Sequence, residues 1–212
     1  MRYLCLLMLY VLALPVANAQ DMASFFTGMP NEYILQLEDA WRKDLVELYR
    51  AGKPATLDNT MKGRSTLMAL TPDYLLLQSS ERSMVEMKLL PLINHTTVIC
   101  VVTTVGAPVA DSRVAFYTTD WSELDASAIW SPATADRFIR DDADPQDAAC
   151  AEALVCLDME LIRYRLHPED TALTAEYVTP EYLNAEERGK VEPFLKTGPL
   201  VYHWKTGRYE LR

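Results

Sequence analysis

The sequence predicts an α+β fold in which amphipathic helices pack on an antiparallel β-sheet. Three observations support this prediction. Residues 31–50 carry apolar side chains at helical spacing, short runs from residue 65 onward alternate with a period of two, and residues 200–211 have the pattern of a hairpin. Because helices and strands recur in the second half of the chain, two similar helix-plus-meander halves are a further expectation.

The first predicted helix, residues 31–50, has the clearest periodicity. Its apolar residues form one stripe at steps of three and four: Ile34, Leu37, Trp41, Leu45 and Leu48. Its polar face pairs acids with bases four residues later, Glu38 with Arg42 and Asp39 with Lys43. Asn31 is expected to cap the start of this helix.

Five short β-rich runs follow, and turn residues separate them. The runs span 65–70, 74–79, 84–90, 96–105 and 113–118. This spacing predicts an antiparallel meander. Residues 97–105 are apolar on both faces, which is typical of a strand that is covered on both sides.

A connecting region rich in Asp, Ser, Ala and Pro spans residues 120–144. We expect one α+β domain at 20–212, with halves 20–120 and 145–212 joined by this acidic linker. A helix capped by Asp144 should begin near Pro145. Strands at 157–166 and 171–178 and a helix at 180–195 complete the second half before the hairpin.

The closing hairpin has a two-residue turn at Thr206 and Gly207. This turn predicts four cross-strand pairs: Trp204 with Tyr209, Tyr202 with Leu211, His203 with Glu210 and Lys205 with Arg208. A three-residue loop would mix the apolar and polar faces, so the pattern favours the shorter turn.

Residues 1–19 have the pattern of a secretory signal peptide. A positive charge at Arg2 precedes an apolar run at 4–14. Ala17 and Ala19 stand two residues apart, which is the arrangement that signal peptidase recognises, so cleavage is expected after Ala19. The apolar run is too short for a membrane-spanning helix, which needs about 20 residues. The mature chain is therefore expected outside the cytoplasm.

The chain is acidic, with a formal net charge of −10. Loss of Arg2 with the leader would bring the net charge to about −11. Nucleic acids and anionic membrane surfaces are not expected as partners, because proteins bind them through Lys and Arg side chains that neutralise phosphates.

Three cysteines follow the leader, and an odd number allows at most one disulfide among them. Cys100 lies in an apolar run and is predicted to be a buried free thiol. Cys150 and Cys156 are six residues apart and could bridge only if a helix ended between them. Their spacing fits neither a zinc site nor a redox C-x-x-C motif.

The sequence predicts no catalytic, cofactor-binding or metal-binding residue. The nucleophile elbow, the zinc-protease motif and the phosphate-binding loop do not occur in it. Of its three histidines, His95 and His167 lie in turn-like contexts and are expected to be exposed. His203 faces Glu210 across the predicted hairpin, where a surface pair is the favoured interpretation.

An acidic cluster at 141–147 has two interpretations. The carboxylates of Asp141, Asp142, Asp144 and Asp147 could bind Ca²⁺, which takes six to eight oxygen ligands. The cluster lacks the glycine and the terminal glutamate of the hand-type calcium loop. A solvated linker that leads into a helix cap explains the same residues and is favoured.

The aromatic residues also have two interpretations. A sugar-stacking or protein-docking surface and a hydrophobic core would both use the same five side chains: Trp121, Trp130, Tyr202, Trp204 and Tyr209. The core is favoured, because an aromatic sheet face usually packs against another layer. Asp111 and Arg113 flank the start of a strand and are expected to form a salt-linked turn with no functional role.

Five sequence strings carry a resemblance. They are LEDAWRKDL at 37–45, LDNT at 57–60, YLLLQ at 74–78, VADSR at 109–113 and FYTTDW at 116–121. Together they resemble an exported family of Bacteroidales bacteria known as domain of unknown function 3256, over most of the mature chain and most strongly at 30–121. The resemblance implies a Gram-negative exported protein, periplasmic or facing the envelope. It implies no activity, cofactor or catalytic residue.

Two functional hypotheses follow. The first is a non-catalytic envelope protein that binds a protein or peptide through an exposed sheet face or edge. The alternative is a periplasmic hydrolase that uses carboxylates. A hydrolase should have acids with displaced pKa values converging in a pocket, whereas a binding module should have an open surface with few perturbed groups.

Overall fold

A computed structural model describes residues 21–106 and 108–211. The predicted signal peptide, with Ala17 and Ala19, lies outside the described residues. Within the described ranges, no helix has the length and apolar character needed to span a membrane.

The N-terminal layer contains two α-helices, α1 (Met22–Gly28) and α2 (Asp39–Arg50). The helix predicted from Asn31 therefore begins eight residues later than expected, because Asn31–Tyr33 forms a separate 3₁₀ turn. The pairing predicted for its polar face is half right. Asp39 and Lys43 form an ion pair of 3.1 Å, but Arg42 is fully buried instead of facing Glu38 at the surface.

Arg42 explains the late start of α2. Its guanidinium donates to the backbone carbonyls of Met29 and Leu37 and to the side chain of Asn31. Met29 and Leu37 lie outside the helices, so their carbonyls need donors from elsewhere. The buried guanidinium supplies them, and burial lowers the pKa of Arg42.

The first sheet has six strands in consecutive antiparallel order, as the meander prediction requires. They are β1 (Thr56–Asp58), β2 (Arg64–Leu70), β3 (Tyr74–Ser80), β4 (Ser83–Pro91), β5 (Thr97–Gly106) and β6 (Ala110–Tyr117). The five predicted runs are confirmed as β2 to β6. The three-residue strand β1 was missed, since so short a segment shows no alternation.

Residues 118–161 connect the two sheets along the chain and contain more secondary structure than a linker would. They form α3 (Ala126–Ile129), a 3₁₀ turn at Ala135–Phe138 and α4 (Ala148–Val155). The N-cap of α4 is Asp147, whose carboxylate accepts the N–H of Ala149 at 3.1 Å. The prediction that Asp144 caps this helix is wrong by one turn.

The second sheet has the strand order β10-β9-β8-β7 and is also antiparallel. Its strands are β7 (Ile162–Leu166), β8 (Leu173–Tyr177), β9 (Leu200–Lys205) and β10 (Arg208–Leu211). The helix predicted at 180–195 is divided into α5 (Thr179–Tyr182), α6 (Ala185–Val191) and a 3₁₀ turn at Glu192–Phe194. Asn184 interrupts the helix and caps α6 through the N–H groups of Glu186 and Glu187.

The predicted hairpin register is confirmed at all four pairs. The backbone φ angles of Thr206 and Gly207 are 47° and 88°. Positive values at both central residues define the tight turn that matches the right-handed twist of paired strands.

The layers stack as helices, first sheet and second sheet. One core cluster joins α1 and α2 to the first sheet and includes Phe26, Leu45 and Ile99. The second cluster lies between the two sheets and includes Cys100 and Tyr202. The fold is α+β as predicted, and β5 contributes to both clusters, so both its faces are covered.

Strands β1 to β6 come from residues 56–117 and strands β7 to β10 from residues 162–211. The division of the chain into two similar halves stays a prediction.

Candidate functional site

The structure does not bring the three histidines together with an acid in a cleft. His95 is exposed in a turn, as predicted. The prediction of exposure is wrong for His167, which is partly buried and whose Nε2 atom has no partner. His203 is paired with Glu210 in the hairpin, but the Glu210 carboxylate lies 3.6 Å from the ammonium group of Lys205.

The acidic cluster at 141–147 is distributed among separate partners. Asp141 pairs with Lys196 at 2.8 Å, and Asp142 pairs with Arg140 at 2.6 Å. Asp147 caps α4. In the part of the chain that the structure describes, no group of three or more His, Cys, Asp or Glu side chains is placed to hold a metal ion.

The aromatic residues belong to the core, as favoured. Trp130 contacts Phe116, Tyr164 and Tyr202 between the sheets, with ring centroids 5.0 to 6.2 Å apart. Tyr209 is also buried there. Trp204 is partly exposed and donates its indole N–H to the carbonyl of Pro91 at 2.7 Å. The three cysteines among the described residues are free, with Cys100 and Cys150 buried and Cys156 partly exposed.

Glu86, an acid whose pKa is raised, is buried between the two sheets and not in a cleft. Burial raises the pKa of Glu86, which is 6% exposed between the two sheets. Its carboxylate accepts the N–H of Leu166 at 2.6 Å. The hydrolase hypothesis therefore gains no support from this group, because a catalytic acid must be within reach of a substrate.

Edge strand β7 cannot readily accept another strand, because side chains occupy its outward N–H groups. Alternate amides of β7 donate to three side chains of the first sheet: Ile162 to Asp111 at 3.3 Å, Tyr164 to Ser112 at 3.1 Å and Leu166 to Glu86. The salt-linked turn predicted for Asp111 and Arg113 is wrong, because Arg113 pairs with Glu123 at 3.2 Å.

The two edges of the first sheet are also limited as docking sites. At β6, Tyr117 forms a β-bridge with Glu123, and the carbonyl of Phe116 accepts the N–H of Leu124 at 2.8 Å. At the other edge, β1 has only three residues. The second sheet ends at β10, which pairs only with β9 within the described residues.

The two-residue turn of the hairpin determines which backbone groups of β10 point away from β9. A two-residue turn makes Lys205 and Arg208 a hydrogen-bonded pair, and hydrogen-bonded pairs alternate along the ladder. Arg208 and Glu210 therefore direct their backbone groups toward β9. Tyr209 and Leu211 direct theirs away from the sheet, and no other described residue pairs with them.

A cleft of about 560 Å³ runs along this edge. All four residues of β10 line it. The segment that connects the two sheets along the chain contributes Ser131, Pro132 and Arg137 to the lining. Leu200 and Tyr202 are its apolar lining from β9. Burial raises the pKa of Tyr202 to about 12, so this phenol is neutral at physiological pH.

Three cations line the cleft, and two of them are ion-paired: Lys196 with Asp141 at 2.8 Å and Arg137 with Asp136 at 4.0 Å. Arg137, Lys196 and Arg208 line it together with one acid, Glu210. The whole chain has the opposite balance, with 20 basic and 30 acidic residues. Within the described residues Arg208 forms no ion pair. This cluster was not predictable from the sequence, because its three cations are up to 71 positions apart in the chain.

A smaller and more enclosed cavity, here called the aromatic cavity, lies between the N-terminal layer and the first sheet. It has a volume of about 170 Å³. Three aromatic rings in mutual contact form part of its wall, namely Tyr33, Tyr117 and Trp121, with centroids 4.8 to 5.8 Å apart. Glu32, Thr103 and Arg113 also line the cavity.

Trp121, which forms part of this wall, has a positive backbone φ angle. It closes a turn in which its N–H donates to the carbonyl of Thr118 at 3.1 Å, and its φ is 66°. This left-handed conformation favours glycine and costs an ordinary residue about 1–2 kcal/mol. The hydroxyl of Tyr33 donates to the carbonyl of Trp121 at 3.1 Å and helps to fix it.

A solved structure is similar to this chain over nearly its whole length. It is described as the structure of a domain of an uncharacterized protein from Porphyromonas gingivalis W83. The two chains share 30% sequence identity with a TM-score of 0.80, and the match covers 90% of this chain and 97% of the other. No curated protein matches. Residues 15–209 match the family described as "Protein of unknown function (DUF3256)", and the chain belongs to that family.

Proposed function

We propose that the mature chain is a non-catalytic exported module that binds an extended segment of a protein or peptide by adding it as a strand to β10. The observation that carries this proposal is the open cleft along the whole of β10. Strand addition gains affinity from main-chain hydrogen bonds and specificity from pockets for alternate side chains. The outward amides of Tyr209 and Leu211 can supply the main-chain hydrogen bonds, and the lining of the cleft can supply the pockets for side chains.

The other edges support the choice of β10. Side chains occupy the outward amides of β7, residues 122–124 cover part of β6, and β1 is short. An added strand would pair with the four residues of β10, which span about 13 Å of extended chain. Arg208 lines the cleft and forms no ion pair within the described residues, so it favours a segment with an acidic side chain.

Export is part of the proposal. It is supported by the leader pattern at 1–19, with Ala17 and Ala19 at the predicted cleavage site, and it would place the module in the periplasm or facing the envelope. The partner would then be an envelope protein or peptide.

The test uses the mature chain, residues 20–212, and peptides selected against it from a random display library. In hydrogen-exchange measurements, bound peptides should slow exchange at the amides of Tyr209 and Leu211. Leu211→Pro removes an outward N–H without removing a bond to β9, and it should weaken binding at least about tenfold. Leu211→Val keeps the N–H and is the matched control.

Two results would overturn the proposal. One is protection of amides on another element by the selected peptides. The other is equal binding by the proline and valine variants. Arg208→Gln adds a second measurement, because loss of this cation should weaken acidic peptides more than neutral ones and should reduce the salt dependence of binding.

A further inference from the structure

We infer that the aromatic cavity is a binding site for a free α-amino acid with an apolar side chain. The side chain would occupy the cavity, and the charged head group would lie between Glu32 and Arg113. This site lies on the face of the first sheet that is opposite the second sheet, so it is separate from the cleft along β10 and does not depend on the function proposed for that cleft.

The size and lining of the cavity define the apolar part of the ligand. Its volume is about 170 Å³, and an apolar cavity of roughly 150 Å³ in a protein interior can hold a benzene molecule. Apolar side chains line it together with the three rings: Met29, Ile34, Val85, Val101 and Ala115. The cavity therefore fits one six-membered ring or one branched alkyl group.

The polar lining defines the head group. Thr103 and Arg113 are register partners on β5 and β6, whereas Glu32 comes from the 3₁₀ turn that covers the sheet. All three residues are exposed, so they lie at the mouth of the cavity. A cation on the sheet and an anion on the covering turn suit a molecule that carries both charges side by side.

Both charged groups are able to bind a ligand. Arg113 contacts Glu123 through one guanidinium nitrogen at 3.2 Å, and a guanidinium has five N–H donors. A ligand carboxylate can therefore take donors that Glu123 does not use. Among the described residues, the Glu32 carboxylate forms no ion pair within 4.0 Å, so it is available to a ligand ammonium group.

The wall that faces the ligand is fixed before binding. Trp121 retains a strained backbone conformation while its indole contacts Tyr33 and Tyr117. Such strain persists only where the surrounding structure enforces it, and it is found preferentially at binding sites. A fixed aromatic wall lowers the entropy that binding would otherwise cost.

The first experiment compares three ligands that share one ring and its spacing from the charged group: L-phenylalanine, 3-phenylpropanoate and phenethylamine. Affinity for the mature chain is measured by calorimetry, and the indole resonance of Trp121 reports the location. L-phenylalanine should bind at least about tenfold more tightly than either analogue, because each analogue lacks one charge-assisted contact. Equal affinity for all three would overturn the inference, and so would unchanged Trp121 resonances at millimolar L-phenylalanine.

The second experiment uses variants. Arg113→Gln should weaken L-phenylalanine binding at least about tenfold, whereas Arg64→Gln should leave it unchanged. Arg64 is a matched control, because it is also a strand residue with an acidic partner and its side chain is 75% exposed, against 76% for Arg113. Equal effects of the two substitutions would contradict the assignment of Arg113 as the cation that binds the ligand at the mouth of the aromatic cavity.

Ala115→Val adds two carbon atoms to the cavity wall and should abolish binding while the circular-dichroism spectrum stays unchanged. Binding by this variant at wild-type affinity would overturn the inference. If it does not fold, the ligand series on the wild-type chain decides alone. Leu211→Pro should bind L-phenylalanine normally, which separates failure of this site from failure of the strand-addition site.

Discussion

At the scale of single residues, Arg42 shows how a charged side chain can be part of the core. It is fully buried and donates to the carbonyls of Met29 and Leu37, which belong to chain that is not helical. A buried carbonyl without a donor costs about 1–3 kcal/mol. The charge is therefore retained inside because it satisfies backbone groups that no nearby amide reaches.

We predict that Arg42→Met destabilises the folded chain by about 3 kcal/mol, because methionine fills a similar space but donates no hydrogen bond. Urea unfolding followed by circular dichroism measures this change. Lys43→Met is the control, since Lys43 is 57% exposed and should change stability by less than about 0.5 kcal/mol. A loss below about 1 kcal/mol for Arg42→Met would contradict a structural role for the buried bonds.

At the scale of elements, the β9–β10 hairpin depends on its turn. Gly207 has a φ of 88°, and an added Cβ would lie 3.1 Å from Cδ2 of Leu92. We predict that Gly207→Ala destabilises the chain by about 1–2 kcal/mol, because alanine rarely adopts this conformation. Thermal and urea unfolding of the variant check the prediction.

Gly189 provides a control with the opposite sign. It lies in α6, where an added Cβ would meet nothing within 4 Å. Gly189→Ala should stabilise the chain by about 0.5–1 kcal/mol, because glycine loses more conformational entropy in a helix. The two substitutions should therefore move the urea midpoint in opposite directions, and shifts of the same sign would contradict this account.

The contact between β4 and β7 should make stability depend on pH. Burial raises the pKa of Glu86 above its ordinary value of 4.5, so the folded chain keeps this proton to a higher pH than the unfolded chain does. The folded state then binds more protons, and the contribution of Glu86 to stability falls as the pH rises from 4.5 through the folded pKa.

We predict that Glu86→Gln is more stable than the wild type at pH 7 and that this advantage shrinks as the pH falls toward about 4.5. The glutamine oxygen can still accept the N–H of Leu166. Free energies of unfolding between pH 4 and pH 8 measure the difference. Asp39→Asn should show the opposite sign, because hydrogen bonding to Lys43 lowers the pKa of Asp39.

At the scale of the whole molecule, the core between the sheets links the two parts of the chain. Cys100 and Phe116 from the first sheet pack in one cluster with Tyr164, Leu173 and Tyr202 from the second. Separation of the sheets would expose this apolar surface to water, which is unfavourable by about 25 cal/mol for each Å². Neither sheet can keep its full stability without the other.

We predict that the mature chain unfolds in urea as one cooperative unit, with coincident transitions by tryptophan fluorescence and by circular dichroism. A fragment of residues 20–120 should not give a sharp transition, because one face of its sheet would be uncovered. Two separated transitions for the mature chain, or cooperative unfolding of the fragment, would show that the halves fold independently.

The sequence predicted the features that depend on neighbouring residues. Strands β2 to β6, the α+β class and the complete register of the closing hairpin follow from alternation and turn chemistry, which act over a few residues. The membership of the family was also recognisable from local strings such as those at 37–45 and 116–121. The start of α2 was not predictable in this way, because Arg42 satisfies carbonyls whose conformation depends on the fold.

The candidate sites were decided only by the tertiary structure. Arg137, Lys196 and Arg208 line one cleft, and Glu32 and Arg113 line another, although each set is scattered along the chain. The sequence does not show which edge strand is left open, because the side chains that occupy the outward amides of β7 come from distant positions on β4 and β6. Local patterns determine elements, whereas sites arise where packing brings distant residues into one space.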